Sequence, residues 1–266
     1  MRKRYKKKMR AIAVVLLGMY TATGGGYTLT DSDEAGGPVF AWDDISTTGT
    51  VVPFAGIDDA QVSLSLPFTF TYFGVPHTSV SACTNGFVQF GGFSTSALNV
   101  AMPSTVPPNG IVAVFWDDLF LSGFTVRSET LGVAPSRRFV VSWIGVSQFG
   151  TTNSLTFQVA LYETTNVIRM QYQSIAAANA TATIGIENEA GDTALQYVLD
   201  GAPAPNAPYD GLAIECVPAP TAPPFQPPPL SDSDGGPDFT CGSAAGATGA
   251  LAAVALALLA LALAQR

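Results

Sequence analysis

The chain has 266 residues, of which 47% are hydrophobic, and its 12 basic and 20 acidic side chains give a formal net charge of −8, so one sizeable core is affordable. Seven of the cations crowd into the first ten residues, leaving residues 27–240 with four arginines, no lysine and all twenty acids, a net of −16. Such a body repels phosphate backbones, which excludes nucleic-acid binding and makes a cation-rich exterior the more natural partner.

The stretch "MRKRYKKKMR" followed by "AIAVVLLGMY" and "TATGGG" reads as a signal peptide over residues 1–26: a basic region, an apolar region of about ten residues, and small residues for cleavage. About ten apolar residues are too few to span a bilayer. Export places Cys83, Cys216 and Cys241 in an oxidising compartment.

From residue 38 to 216, runs rich in Val, Ile, Phe, Thr and Tyr alternate with Gly, Pro, Asn and Ser. Ten runs read as strands: 62–73, 86–90, 111–116, 124–129, 137–146, 154–163, 167–174, 181–188, 194–199 and 211–216. With no helical pattern between them, they predict an all-β, antiparallel β-sandwich or jelly-roll-like single domain over residues 27–216. In "SLTFQVALYE", Leu155, Phe157, Val159 and Leu161 share one face and Thr156, Gln158, Ala160 and Tyr162 the other, as in a half-buried strand. "IVAVFW" is apolar throughout and is placed centrally, covered on both faces. "ETTN" (163–166) and "EAGD" (189–192) read as hairpin loops, and Asn85-Gly86 as a turn or bulge. Trp116 and Trp143 are expected inside the sandwich.

Residues 217–240 hold eight prolines in 24 positions, a semi-rigid linker with a reach of roughly 70 Å at about 3.1 Å per residue. Residues 241–266 begin at Cys241 and continue as an uncharged span of about 33 Å if helical, long enough for a transmembrane helix. Eleven of its residues are alanine and six are leucine, so its drive to insert is weak and suits a transient stop.

His77 is the single histidine, in "FGVPHTS", and reads as a solvated loop residue; no G-x-S-x-G elbow, zinc-ligand cluster or phosphate-binding loop accompanies it. No cofactor is expected, with calcium as the one candidate, because hard cations take several loop oxygens. Its candidate ligands are Asp31 and Asp33 in "DSDEAGG", and Asp117 with Asp118 at the end of the central strand. The EF-hand spacing fails, since Trp42 stands where the twelfth-position glutamate belongs. Solvated turn acids, or strand-end acids bonded to the backbone, compete with that reading. Cys83 and Cys216 are the candidate disulfide; the alternative is two buried thiols that never meet.

Two parts of the chain resemble known families. The tail, with Cys241-Gly242 ahead of a small-residue apolar span and a Pro-, Ser- and Asp-rich spacer, resembles C-terminal sorting signals of the MYXO-CTERM class. That resemblance implies a sorting protease and attachment through Cys241, although only Gln265-Arg266 follows the span, where an arginine cluster is usual. The head is similar to β-sandwich domains repeated in bacterial secreted proteins, and more loosely resembles nidogen-type (NIDO) extracellular domains, through "PFTFTYFG" (67–74), "TNGFVQFG" (84–91), "PNGIVAVFWDDL" (108–119), "RRFVVSW" (137–143), "TFQVALYE" (156–163), "IRMQY" (168–172) and "IGIENEAG" (184–191). The resemblance implies extracellular binding or adhesion and brings no catalytic residues. The cysteine-rich modules that accompany such domains in matrix proteins are missing.

These readings converge on an exported, non-catalytic binding or adhesion module. It would be held at the cell surface by its C-terminal segment, and its partner would be a surface glycan or protein. A secreted carbohydrate-active enzyme using two carboxylates from separate strands, or a structural envelope component, are the alternatives.

Overall fold

The computed structural model describes residues 26–121, 123, 125–175, 181–200 and 207–220. The expected signal segment up to residue 25, the linker from residue 221 and the tail with Cys241 lie outside the described residues. Among the described residues there is no helix, and none therefore that is long and apolar enough to cross a membrane.

The described residues form fourteen strands: β1 (Tyr27–Asp31), β2 (Thr50–Val51), β3 (Gln61–Tyr72), β4 (Val75–Cys83), β5 (Phe87–Gln89), β6 (Ile111–Trp116) and β7 (Leu119–Phe120), then β8 (Thr125–Leu131), β9 (Arg138–Gln148), β10 (Leu155–Tyr162), β11 (Ile168–Ser174), β12 (Thr183–Glu187), β13 (Ala194–Leu199) and β14 (Leu212–Pro218). All pairings are antiparallel. One sheet runs β1-β14-β11-β10-β9-β8-β2 with β7 added on β9, and the second runs β13-β12-β6-β5-β4-β3. The ten expected runs are all strands, and "IVAVFW" is fully buried between β12 and β5.

The main core lies between the sheets. Odd-numbered residues of β9 and β10, among them Phe139, Trp143, Phe157 and Leu161, meet Phe70 and Tyr72 of β3 and Val112 and Val114 of β6. Trp143 stacks on Phe157 at 5.2 Å between centroids, and Phe115 tilts against Phe157 at 5.6 Å. Trp116 departs from expectation, because it packs on the outward face of its sheet with Cys83, Phe87, Met102, Ile111 and Ala113.

That outward face is buried because residues 91–110 lie across it as a strap. Met102 supplies its apolar contact, and polar side chains of the sheet take up its backbone groups. Gln61 accepts from the Ser94 N–H at 2.6 Å, Gln196 from Met102 at 2.8 Å and Glu187 from Ser104 at 2.5 Å, while the Trp116 indole donates to Ser96 at 2.9 Å. A second strap, residues 32–49, covers the other sheet: Gln171 accepts from Ala41 at 2.7 Å, Arg138 pairs with Asp43, and Ile45 packs on Val140 and Ala160. A long connection brings many unpaired backbone groups, so the strands beneath must carry side chains that satisfy them.

Three expectations are corrected. Cys83 and Cys216 are free, buried thiols rather than a disulfide; Cys216 faces the main core from β14, while Cys83 ends β4 in the cluster outside the other sheet. Their side chains therefore sit in different layers, and Cβ atoms so placed cannot meet. His77 is not a solvated loop residue: it lies within β4, its side chain is 11% exposed, and its ring contacts Phe90 and the Glu189 carboxylate, with Nε2 2.9 Å from Oε1. The domain also extends past residue 216, since β14 continues to Pro218, which pairs with Tyr27. The chain thus enters and leaves the sandwich side by side at one pole.

Candidate functional site

The opposite pole is built by the ends of β3, β4, β6, β9 and β12 and by the connections at residues 55–60, 84–86, 117–121 and 149–154. Asn85 organises it. Its amide nitrogen donates to Asp59 at 2.7 Å and to the Thr95 carbonyl at 2.9 Å, and its oxygen accepts from the Leu119 N–H at 3.0 Å. Gly86 makes this possible: its φ is +77°, and an added Cβ would stand 1.9 Å from the Phe115 carbonyl oxygen. The Gly86 carbonyl in turn accepts from both Val114 and Phe115, locking the turn onto the central strand.

Asp117 is buried here and its oxygens are filled. Oδ1 accepts from the Asp118 N–H at 2.9 Å, and Oδ2 accepts from Gln148 Nε2 at 2.5 Å and Thr181 Oγ1 at 2.6 Å. Asp118 has its carboxyl pushed up from the usual range, by burial first and then by the like charges of Asp58, Asp59 and Asp117. Four carboxylates thus converge. The four arginines among the described residues are engaged elsewhere: Arg137 with Glu163, Arg138 with Asp43, Arg169 with Glu215, and Arg127 on the Gly49 carbonyl. Beside the acids, Ile57 is 59% and Phe149 61% exposed, with Phe120 against the Phe149 ring at 6.1 Å.

Asp31 and Asp33, the other expected calcium ligands, have different partners. Asp31 Oδ1 caps the Asp33 N–H at 2.9 Å and Oδ2 accepts from Tyr197 at 2.9 Å, while Asp33 accepts from Tyr209 at 2.8 Å. They tie β1 and the turn after it to β13 and to the segment that precedes β14. Among the described residues no three His, Cys, Asp or Glu side chains are grouped to hold a metal ion.

A shallow cleft of about 170 Å³ opens between the second strap, residues 32–49, and its sheet, lined by Trp42, Asp44, Ile45, Ser142 and Thr156 among others. Sites that enclose small molecules measure about 300–1,000 Å³. The cleft holds one carboxylate, Asp44, kept below its usual range by hydrogen bonds from Ser46, whereas glycoside hydrolysis takes two facing one bond.

Sequence reasoning marked Asp117, Asp118 and Asn85 but missed Gln148, Thr181 and Asn153. The signal available was weak: a polar side chain at the end of a strand.

Two strap-covered antiparallel sheets with an acidic, apolar-tipped pole define a β-sandwich module. The chain matches the family described as NIDO related over residues 27–217 and belongs to it. No curated protein and no solved structure matches the chain.

Proposed function

We propose that the domain is a non-catalytic binding module, and that its recognition surface is the acidic pole opposite its paired termini. The carrying observation is that Asp58, Asp59, Asp117 and Asp118 gather beside exposed Ile57 and Phe149 while the four arginines among the described residues are committed elsewhere. Carboxylates without counter-charge attract cationic groups, and the apolar tips add desolvated contact area. A surface glycan bearing amino groups, or a basic protein segment, has the matching chemistry. Membership of the NIDO-related family supports an extracellular setting. On this reading the tail from Cys241 holds the module at the surface.

The test is binding of the full chain to an array of neutral and amino-bearing glycans, compared with Asp118→Asn and Phe149→Ser. Signal confined to amino-bearing glycans, weakened about tenfold by either substitution and by raised salt, supports the reading. Binding that both variants retain in full places recognition elsewhere.

A further inference from the structure

Asp117, one of the four carboxylates at the acidic pole, also forms a second cluster with Gln148, Asn153 and Thr181. Gln148 ends β9 in one sheet, and Thr181 precedes β12 in the other. The Thr181 hydroxyl donates to Asp117 Oδ2 at 2.6 Å, and Gln148 Nε2 lies 3.0 Å from that hydroxyl oxygen and 2.5 Å from the same carboxylate oxygen. Asn153 Nδ2 donates to Gln148 Oε1 at 2.8 Å, while Asn153 Oδ1 accepts from the Gln148 backbone N–H at 3.0 Å. The Ser147 hydroxyl donates to the Asn153 carbonyl at 2.6 Å, which fixes the loop that carries Asn153.

The groups that an acyl transfer needs meet here. The Thr181 hydroxyl oxygen accepts from Nε2, which places it beside the carboxamide whose carbon Cδ it would attack. The carboxylate is placed to take the hydroxyl proton, and the Asn153 amide faces the oxygen on which negative charge would develop. The glutamine is buried with Asp117, so the base and the electrophile are held together, and the Thr181 hydroxyl reaches them from an exposed residue.

We propose that Thr181 and Gln148 form an intramolecular ester that joins the two sheets. Thr181 Oγ1 attacks Gln148 Cδ as Asp117 Oδ2 accepts the hydroxyl proton. The tetrahedral oxyanion is met by Asn153 Nδ2. The Cδ–Nε2 bond then breaks, Asp117 returns the proton to the departing nitrogen, and ammonia leaves. One carboxamide and one hydroxyl become one ester and one ammonia, with no change of oxidation state. Loss of ammonia into bulk solvent makes the step effectively one-way. The bond closes a segment of 33 residues and ties the sheets covalently, which the unpaired cysteines do not do.

The experiment is peptide mapping of the full, natively folded chain by mass spectrometry. Expected is a pair of peptides joined through residues 148 and 181, lighter than their sum by one ammonia. Alkaline treatment in ¹⁸O-water should separate them and leave labelled glutamate at position 148. Thr181→Ser should retain the joined pair; Thr181→Ala and Asp117→Asn should lose it, with native Trp fluorescence confirming that each variant is folded. A folded wild-type chain with an intact carboxamide at Gln148 and an unmodified Thr181 overturns the proposal. A joined pair persisting in folded Asp117→Asn overturns the role given to Asp117.

Discussion

The indole Nε1 of Trp143 donates to the carbonyl oxygen of Cys83 across 2.9 Å, a hydrogen bond that runs from one sheet to the other through the buried interior. The ring itself lies in the main core on Phe157, so one side chain supplies both packing and a cross-sheet polar tie.

Trp143→Phe keeps most of the apolar volume and removes the donor. The Cys83 carbonyl still accepts from the Gly86 N–H at 3.3 Å, so the substitution should cost about 1 kcal/mol, the net worth of one hydrogen bond. Urea unfolding followed by circular dichroism should show a lower midpoint with an unchanged slope. An unchanged midpoint would mean that the bond contributes nothing net.

The cysteines make a second prediction. Burial pushes the Cys83 thiol up to about 12 and raises the Cys216 thiol as well, in both cases by keeping the thiolate out of water. Neither should alkylate in the native protein at pH 8, and both should do so in denaturant, as site-resolved peptide mapping would show. A reducing agent should leave the melting temperature unchanged. A fall in melting temperature on reduction would point instead to a disulfide.

The turn at Asn85-Gly86 gives a third. Gly86→Ala places a methyl group against the Phe115 carbonyl in a left-handed backbone conformation, and neither the strand nor the turn can give way cheaply. The expected loss is about 3 kcal/mol or more. Gly150→Ala is the control: its φ is also positive, +74°, but nothing lies within 4 Å of the added carbon. It should cost about 1 kcal/mol, the conformational part alone. Equal losses at the two positions would remove the close approach from the explanation.

Legibility followed the locality of the signal. β10 and β6 were readable because their alternation and their unbroken apolar run are written within eight or fewer residues. β4 was missed because its first half, "VPHTS", is mostly exposed and contains a proline, so no period-2 pattern begins there. β1 was missed because its alternation, with Tyr27 and Leu29 inward, covers only five residues beside a signal-like segment. The straps could not be read at all. Gln61, Gln158 and Gln171 sit on outward faces and look solvated, and only distant chain segments bury them. The same holds at the pole: Asp117 stood out at the end of its strand, but Gln148 and Thr181 are 31 and 64 residues away.

The final prediction concerns the strap over β12. Burial pushes the Glu187 carboxyl from 4.5 up to about 7, opposed in part by the Ser104 N–H that it accepts. A folded state that binds this proton more tightly than the unfolded chain is favoured wherever the proton is present. The contribution is therefore full below about 4.5 and disappears as pH rises through about 7. Asp118 is shifted in the same direction, so it adds to the trend, whereas Glu163 and Asp192 are lowered by their partners and lose stability only in more acid solution. Across the window between pH 4.5 and 7, Glu187 should thus dominate the slope. The wild-type melting temperature should be higher at pH 5 than at pH 8. Glu187→Gln keeps an acceptor for Ser104 and removes the titration, so it should flatten that difference and leave the variant the more stable form at pH 8. A variant whose melting temperature falls with pH as steeply as the wild type's would show that the slope comes from another group.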